Sequence, residues 1–130
     1  MSSIALLAAL RAEILASHRA LLDAERVAYE RLFGRIPGST ELLQLAIHDP
    51  WFGWLRPLTA LIAAMDELAV DDEPGDLSIR VAQFRASARD LMRPDENGTE
   101  FQQRYFDLVQ KSPDVALARG RLARLLEGDR

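Results

Sequence analysis

Apolar side chains recur at spacings of three and four residues along most of the chain, a pattern that predicts amphipathic helices rather than strands. The first predicted helix covers residues 3–33, with Ser3 as its N-cap. Its apolar stripe consists of Leu7, Leu10, Ile14, Leu21, Tyr29 and Leu32. His18 and Glu25 interrupt this stripe, and Arg11 lies at its border. At ~1.5 Å per residue the helix would be ~45 Å long, so we expect part of it to project from the domain or to be covered by a partner.

The same periodicity, read together with capping residues and helix breakers, predicts five further helices. They cover residues 39–47, 50–70, 77–93, 100–111 and 113–127. Thr99 and Gln102 match a capping box at the start of the fifth helix. Asp49 is a suitable N-cap and Pro50 a suitable first residue for the third helix. Pro57 would then lie inside that helix and bend it, unless residues 50–55 form a separate turn.

The segment Leu58–Met65 is apolar on nearly every face, which is typical of a helix enclosed by others. We therefore place it in the central helix of the fold. If the first and third helices are antiparallel neighbours, the polar residues of their apolar stripes are able to meet. These residues are Arg11, His18 and Glu25 on the first helix, and Thr59 and Asp66 on the third.

Composition supports an all-α class, because Leu and Ala supply forty residues while Val, Ile and Thr supply fourteen. A length of 130 residues fits one domain, residues 1–130. The short connections between the predicted helices favour antiparallel neighbours. The sequence thus predicts a single-domain antiparallel helical bundle of four longer and one or two short helices.

Charge and cysteine content narrow the class of protein further. A net charge of −4 without a basic patch argues against nucleic-acid binding. The absence of cysteine removes disulfides, thiolate metal sites and cysteine nucleophiles. No apolar run reaches the ~18–20 residues of a membrane span, and no basic region precedes Ile4–Leu10 as it would in a signal peptide. We therefore expect a cytoplasmic protein without membrane contact, and the ratio of fifteen Arg to one Lys is associated with bacterial genomes of high GC content.

Residues 48–57 are the least generic stretch of the chain, with both tryptophans, one of two histidines and two of six prolines. In a structural interpretation, Trp51, Phe52 and Trp54 close one end of the bundle while Arg56 caps or stacks nearby. In a functional interpretation, the same side chains form an exposed binding patch or a dimer interface, since Trp and Arg are enriched among interface anchors. The burial of the tryptophans distinguishes these interpretations.

The polar residues of the predicted core support a second hypothesis, because an unpaired charge in a core is costly. They suggest a pocket for a small ligand or metal near His18, His48 and Asp66. Neither histidine follows a Glu by three residues, as a di-iron bundle requires. Nucleophile motifs and Gly-rich phosphate loops are also absent from the sequence. We therefore assign no catalytic residue, no metal and no cofactor.

These observations predict a non-enzymatic interaction or assembly domain of a bacterial cytoplasmic protein. We expect a homodimer or a protein partner, bound through part of the first helix or through residues 48–57. The alternative is a bundle that binds a small ligand or a metal near His18, His48 and Asp66. The candidate binding residues are His48, Trp51, Phe52, Trp54, Arg56, His18, Glu25 and Asp66.

Overall fold

The computed structural model describes residues 1–127, and every regular element in this part of the chain is helical. The elements are α1 (Ser3–Phe33), α2 (Ser39–His48), a 3-10 segment (Pro50–Leu55), α3 (Arg56–Ala69), α4 (Leu77–Leu91), α5 (Glu100–Lys111) and α6 (Pro113–Leu126). The predicted all-α class and helical bundle are therefore confirmed.

Local capping chemistry sets most helix ends. The cap of α1 is Ser2 rather than the predicted Ser3, because the Ser2 hydroxyl accepts a hydrogen bond from the Ala5 amide at 3.1 Å. The capping box of α5 is confirmed, since Thr99 Oγ1 accepts from the Gln102 amide and Gln102 Oε1 accepts from the Thr99 amide. Gly34 ends α1 with a φ of 93°, a backbone conformation that favours glycine.

The continuous helix predicted over residues 50–70 is wrong, because the chain forms the 3-10 segment before α3 begins at Arg56. Asp49 is the N-cap of the 3-10 segment, and its Oδ1 accepts from the Trp51 amide at 2.8 Å. Pro57 consequently falls in the first turn of α3, where its missing N–H costs no intrahelical hydrogen bond. The alternative of a separate turn before Pro57 is the one that the structure adopts.

Helix α1 is the element around which the others pack, since it contacts α3, α4, α5, α6 and the 3-10 segment. In α3, Leu58 and Met65 are fully buried, but Ala60 and Ala63 are exposed on its other side. The run Leu58–Met65 therefore buries one face rather than all of them. Its additional apolar positions include alanines, whose small side chains remain in water at little cost.

The core extends along α1 from Leu7 to Glu25 and stops short of the end of the helix. Tyr29 is half-buried and Leu32 is 67% exposed, so the predicted stripe is buried only in its first part. Tyr29 and Phe33 instead pack edge-on against Trp51, with ring centroids 6.0 and 5.8 Å away. The last turns of α1 thus carry an aromatic contact with the 3-10 segment beyond the main core.

Candidate functional site

The aromatic stretch closes the bundle where the 3-10 segment crosses α1 and α5. Phe52 is fully buried, Trp54 is 5% exposed, and Trp51 is half-buried. The ring of Trp54 packs against Phe101 of α5 at a centroid distance of 5.3 Å. These contacts support the structural interpretation, because Phe52 and Trp54 present almost no surface to a partner.

Glu25 is the charged residue of the α1 stripe that becomes buried, with 6% of its surface exposed. The indoles of Trp51 and Trp54 lie beside its carboxylate, but neither completes a hydrogen bond of good geometry. Among the described residues, Glu25 Oε2 and both indole nitrogens are buried without a hydrogen-bond partner. Burial raises the pKa of Glu25, while the Trp54 indole, Arg104 and the Trp51 indole lower it, and Asp107 raises it further.

The sequence predicted Glu25 as a polar interruption of the core and residues 48–57 as a separate unit. It did not predict that the two belong to one cluster. A signal was present, because a buried carboxylate requires donors and each buried indole N–H requires an acceptor. We name this group the Glu25 cluster, formed by Glu25, Trp51 and Trp54.

Asp66 pairs with Arg11, as expected for polar residues that α3 and α1 bring together. Arg11 Nε donates to Asp66 Oδ1 at 2.5 Å, and the two side chains are 41% and 48% exposed. An ion pair this accessible is screened by water and contributes little to stability. The pair is therefore a surface feature of the α1–α3 contact.

The structure does not bring His18, His48 and Asp66 to one place. His18 lines a groove beside α2, Asp66 lines a different concavity, and His48 is exposed and lines neither. Within residues 1–127, no group of three or more His, Asp or Glu side chains has a geometry that could hold a metal ion. Burial lowers the pKa of His18, so its imidazole is neutral near pH 7.

The groove beside α2 has a volume of about 530 Å³ and lies between α1, α2, the 3-10 segment and the start of α3. Its apolar walls include Leu22, Leu42, Leu43, Ile47, Phe52 and Leu55. Its polar lining residues are His18, Ser39, Arg56 and Thr59. We call it the α2 groove. Helix α2 has no buried residue, and Leu43 and Ile47 are 56% and 50% exposed.

A second concavity, of about 650 Å³, lies between the N-terminal half of α1 and the C-terminal half of α3. The α1–α3 face that surrounds it comprises Ile4, Ala8, Arg11, Asp66, Ala69 and Val70. Ile4 is 72% exposed and Val70 is 79% exposed. This face therefore presents apolar side chains to solvent beside the Arg11–Asp66 ion pair, and the exposed Asp71 lines the same concavity.

Two arginines that the sequence did not single out donate hydrogen bonds to backbone carbonyls at helix ends. Arg85 Nε of α4 donates to Leu125 O at 2.8 Å, at the C-terminal end of α6. Arg119 Nη1 of α6 donates to Met92 O at 3.3 Å, just beyond α4. Both bonds satisfy carbonyls that a helix leaves open at its C-terminus. These arginines therefore have a structural role in joining α4 and α6.

Comparison with known proteins adds no relative, since no family model, no curated protein and no solved structure matches the chain. Among the described residues, no helix combines the length and the apolar character that a bilayer span needs. Residues 1–127 form an all-helical fold in which the aromatic stretch is largely buried and the surface carries the α2 groove and the concavity between α1 and α3.

Proposed function

We propose that the protein is a non-enzymatic assembly module of the bacterial cytoplasm that forms a homodimer through the α1–α3 face. The observation that carries the proposal is the exposure of Ile4 and Val70 around an apolar concavity. Exposed apolar patches of this kind mark interaction surfaces. Of the two surfaces considered from the sequence, the aromatic stretch is largely buried, which leaves part of α1.

Small side chains on the α1–α3 face allow another helix to approach closely. Ala8 and Ala69 are exposed and line the same concavity as Ile4 and Val70, and their small side chains would let a second helical face approach the backbone there. Docking would bury Ile4 and Val70, and burial of a side chain of this size stabilises by roughly 1.5–3 kcal/mol. The gain from two such residues on each copy is substantial for a dimer of modest size.

The charges of this face favour a second copy over an unrelated partner. Arg11 and Asp66 lie side by side in an ion pair, and Asp71 lines the same concavity, so the face presents both signs of charge. In a two-fold symmetric interface the same patch from each copy meets itself and must be self-complementary. A two-fold axis near this ion pair would set each Arg11 opposite the Asp66 of the other copy.

Light scattering coupled to size exclusion, over a wide range of protein concentration, tests this proposal. Wild type is expected to show the mass of a dimer, and Ile4→Asp is expected to shift it to a monomer. Ile79→Asp is the matched control, because Ile79 is 56% exposed and also lies in the first turn of a helix, α4. An acid in either first turn is favourable for the helix, so neither variant should unfold.

Two results would contradict the proposal. One is a wild-type protein that remains monomeric at every concentration. The other is an equal effect of Ile4→Asp and Ile79→Asp on the mass, which would show that the α1–α3 face is no different from the rest of the surface.

A further inference from the structure

The α2 groove has the properties of a small-molecule site. Its volume of about 530 Å³ falls within the range of roughly 300–1,000 Å³ that is usual for ligand pockets. Such pockets combine apolar walls with a few polar groups that fix the orientation of the ligand. The walls here are mostly Leu, Ile and Phe side chains, and the polar groups are few.

Helix α2 leaves its apolar side chains incompletely covered. It contacts chiefly the 3-10 segment, and none of its residues is buried. Leu43 and Ile47 lie one helical turn apart, both line the groove, and each is at least half exposed. An aliphatic chain placed along the groove would contact these two side chains on one side and Leu22 of α1 on the other.

The charge of the α2 groove favours a ligand with an anionic head group. Although the protein has a net charge of −4, no acidic side chain lines the groove and its one ionised group is Arg56. Among the described residues, no carboxylate forms an ion pair with Arg56. The guanidinium passes over Gly53, where the position of an added Cβ lies 3.6 Å from Arg56 Nη1. Arg56 is exposed and lines the groove, so its hydrogen-bond donors are accessible to a ligand there.

Thr59 and His18 also line the groove and carry hydrogen-bonding atoms. Thr59 Oγ1 donates to Arg56 O at 2.9 Å, which leaves the oxygen able to accept a hydrogen bond. The neutral imidazole of His18 has one donor and one acceptor. Arg56 is thus the charged partner for an anion, and His18 supplies a neutral hydrogen bond.

We propose that the α2 groove binds a free amphipathic carboxylate, with its aliphatic chain against Leu43 and Ile47 and its carboxylate on Arg56. A guanidinium and a carboxylate form paired, charge-assisted hydrogen bonds. Such a ligand covers the exposed apolar wall of the groove and also pairs with the Arg56 guanidinium. The inference does not depend on dimerisation, because the groove and the α1–α3 face share no residue.

Isothermal titration calorimetry with dodecanoate, below its micelle concentration, tests this site. Dodecyltrimethylammonium has the same chain and the opposite charge, and it serves as the matched ligand. Dodecanoate is expected to bind saturably and at least about tenfold more tightly than the cation, as expected for one charge-assisted hydrogen-bonded pair.

Variants separate the head group from the chain. Arg56→Gln is expected to weaken dodecanoate about tenfold or more without weakening the cation, and it should fold because Arg56 is exposed. Arg121→Gln, an exposed arginine of α6, is the matched control and should bind as wild type does. Leu43→Asn, which adds no charge, is expected to weaken both ligands. The monomeric Ile4→Asp variant should bind dodecanoate normally, so a failure of either proposal is distinguishable from a failure of the other.

Equal binding of the two ligands would overturn the inference, because the groove would then have no preference for an anion. Unchanged dodecanoate affinity in Arg56→Gln would overturn it as well. Binding that occurs only at micellar concentrations, or no binding at all, would show that the α2 groove is not a site for this class of ligand.

Discussion

Replacement of Trp54 by Ala tests whether the aromatic stretch is core or interface. Trp54 is 5% exposed and packs on Phe101, and a buried Trp removes roughly 150–250 Å² from water. At about 25 cal/mol per Å² this area corresponds to about 4–6 kcal/mol, and truncation of a core Trp to Ala typically costs about 3–5 kcal/mol. We therefore expect Trp54→Ala to lower the free energy of unfolding by about 4 kcal/mol, a large share of the roughly 5–15 kcal/mol typical of a domain.

Urea unfolding followed by far-ultraviolet circular dichroism measures this loss. It should be similar at low and high protein concentration, because the indole contacts Phe101 of its own chain. Trp54→Phe is the control, and it should recover most of the loss, since it keeps an aromatic ring and removes an indole N–H that has no hydrogen-bond partner. A loss below about 1 kcal/mol in Trp54→Ala, accompanied by weaker self-association, would refute the assignment of Trp54 to the core.

Two further substitutions test buried polar groups. Burial raises the pKa of Glu25 above its ordinary value of 4.5, so its contribution to stability is present below that pH and is lost as pH rises through the folded pKa. Glu25→Gln should therefore be more stable than wild type in urea at pH 7, with the difference shrinking as pH falls through the folded pKa of Glu25 and smallest below pH 4.5; a difference that does not change with pH would contradict this. Gln102 is 3% exposed, caps α5 through Thr99 and donates to Asp90 O at 2.6 Å. Gln102→Ala should cost about 2–3 kcal/mol in thermal or urea unfolding, whereas exposed Gln103→Ala should cost far less.

The sequence predicted the helices well because their ends depend on neighbouring residues. The capping box of Thr99 and Gln102 and the Asp49–Pro50 start each involve groups within a few positions of one another. The prediction was wrong at residues 50–70, where two different local structures are compatible with the same sequence. A proline at position 57 is compatible with an interior kink or with a first helical turn, and the local pattern alone did not choose between them.

The candidate site was predicted only as a set of residues, without their grouping. The sequence placed His18, His48 and Asp66 in one possible pocket, whereas the structure separates them onto a groove, an exposed helix end and an ion pair. It also left open whether the tryptophans are buried. Hydrophobic periodicity shows which face of a helix is apolar, but it does not show which apolar faces are buried by another helix.

By itself, the sequence determined the all-α class, the stretches that become helical and most of the residues that cap them, since each depends on interactions within about one turn. Only the tertiary structure decided that Arg11 meets Asp66, 55 residues away, and that Glu25 meets the indoles of Trp51 and Trp54. The physical reason is that the register and rotation of one helix against another come from the packing of many side chains together. The same packing leaves the α2 groove and the α1–α3 face uncovered, and it is therefore what defines the two surfaces on which the proposed functions depend.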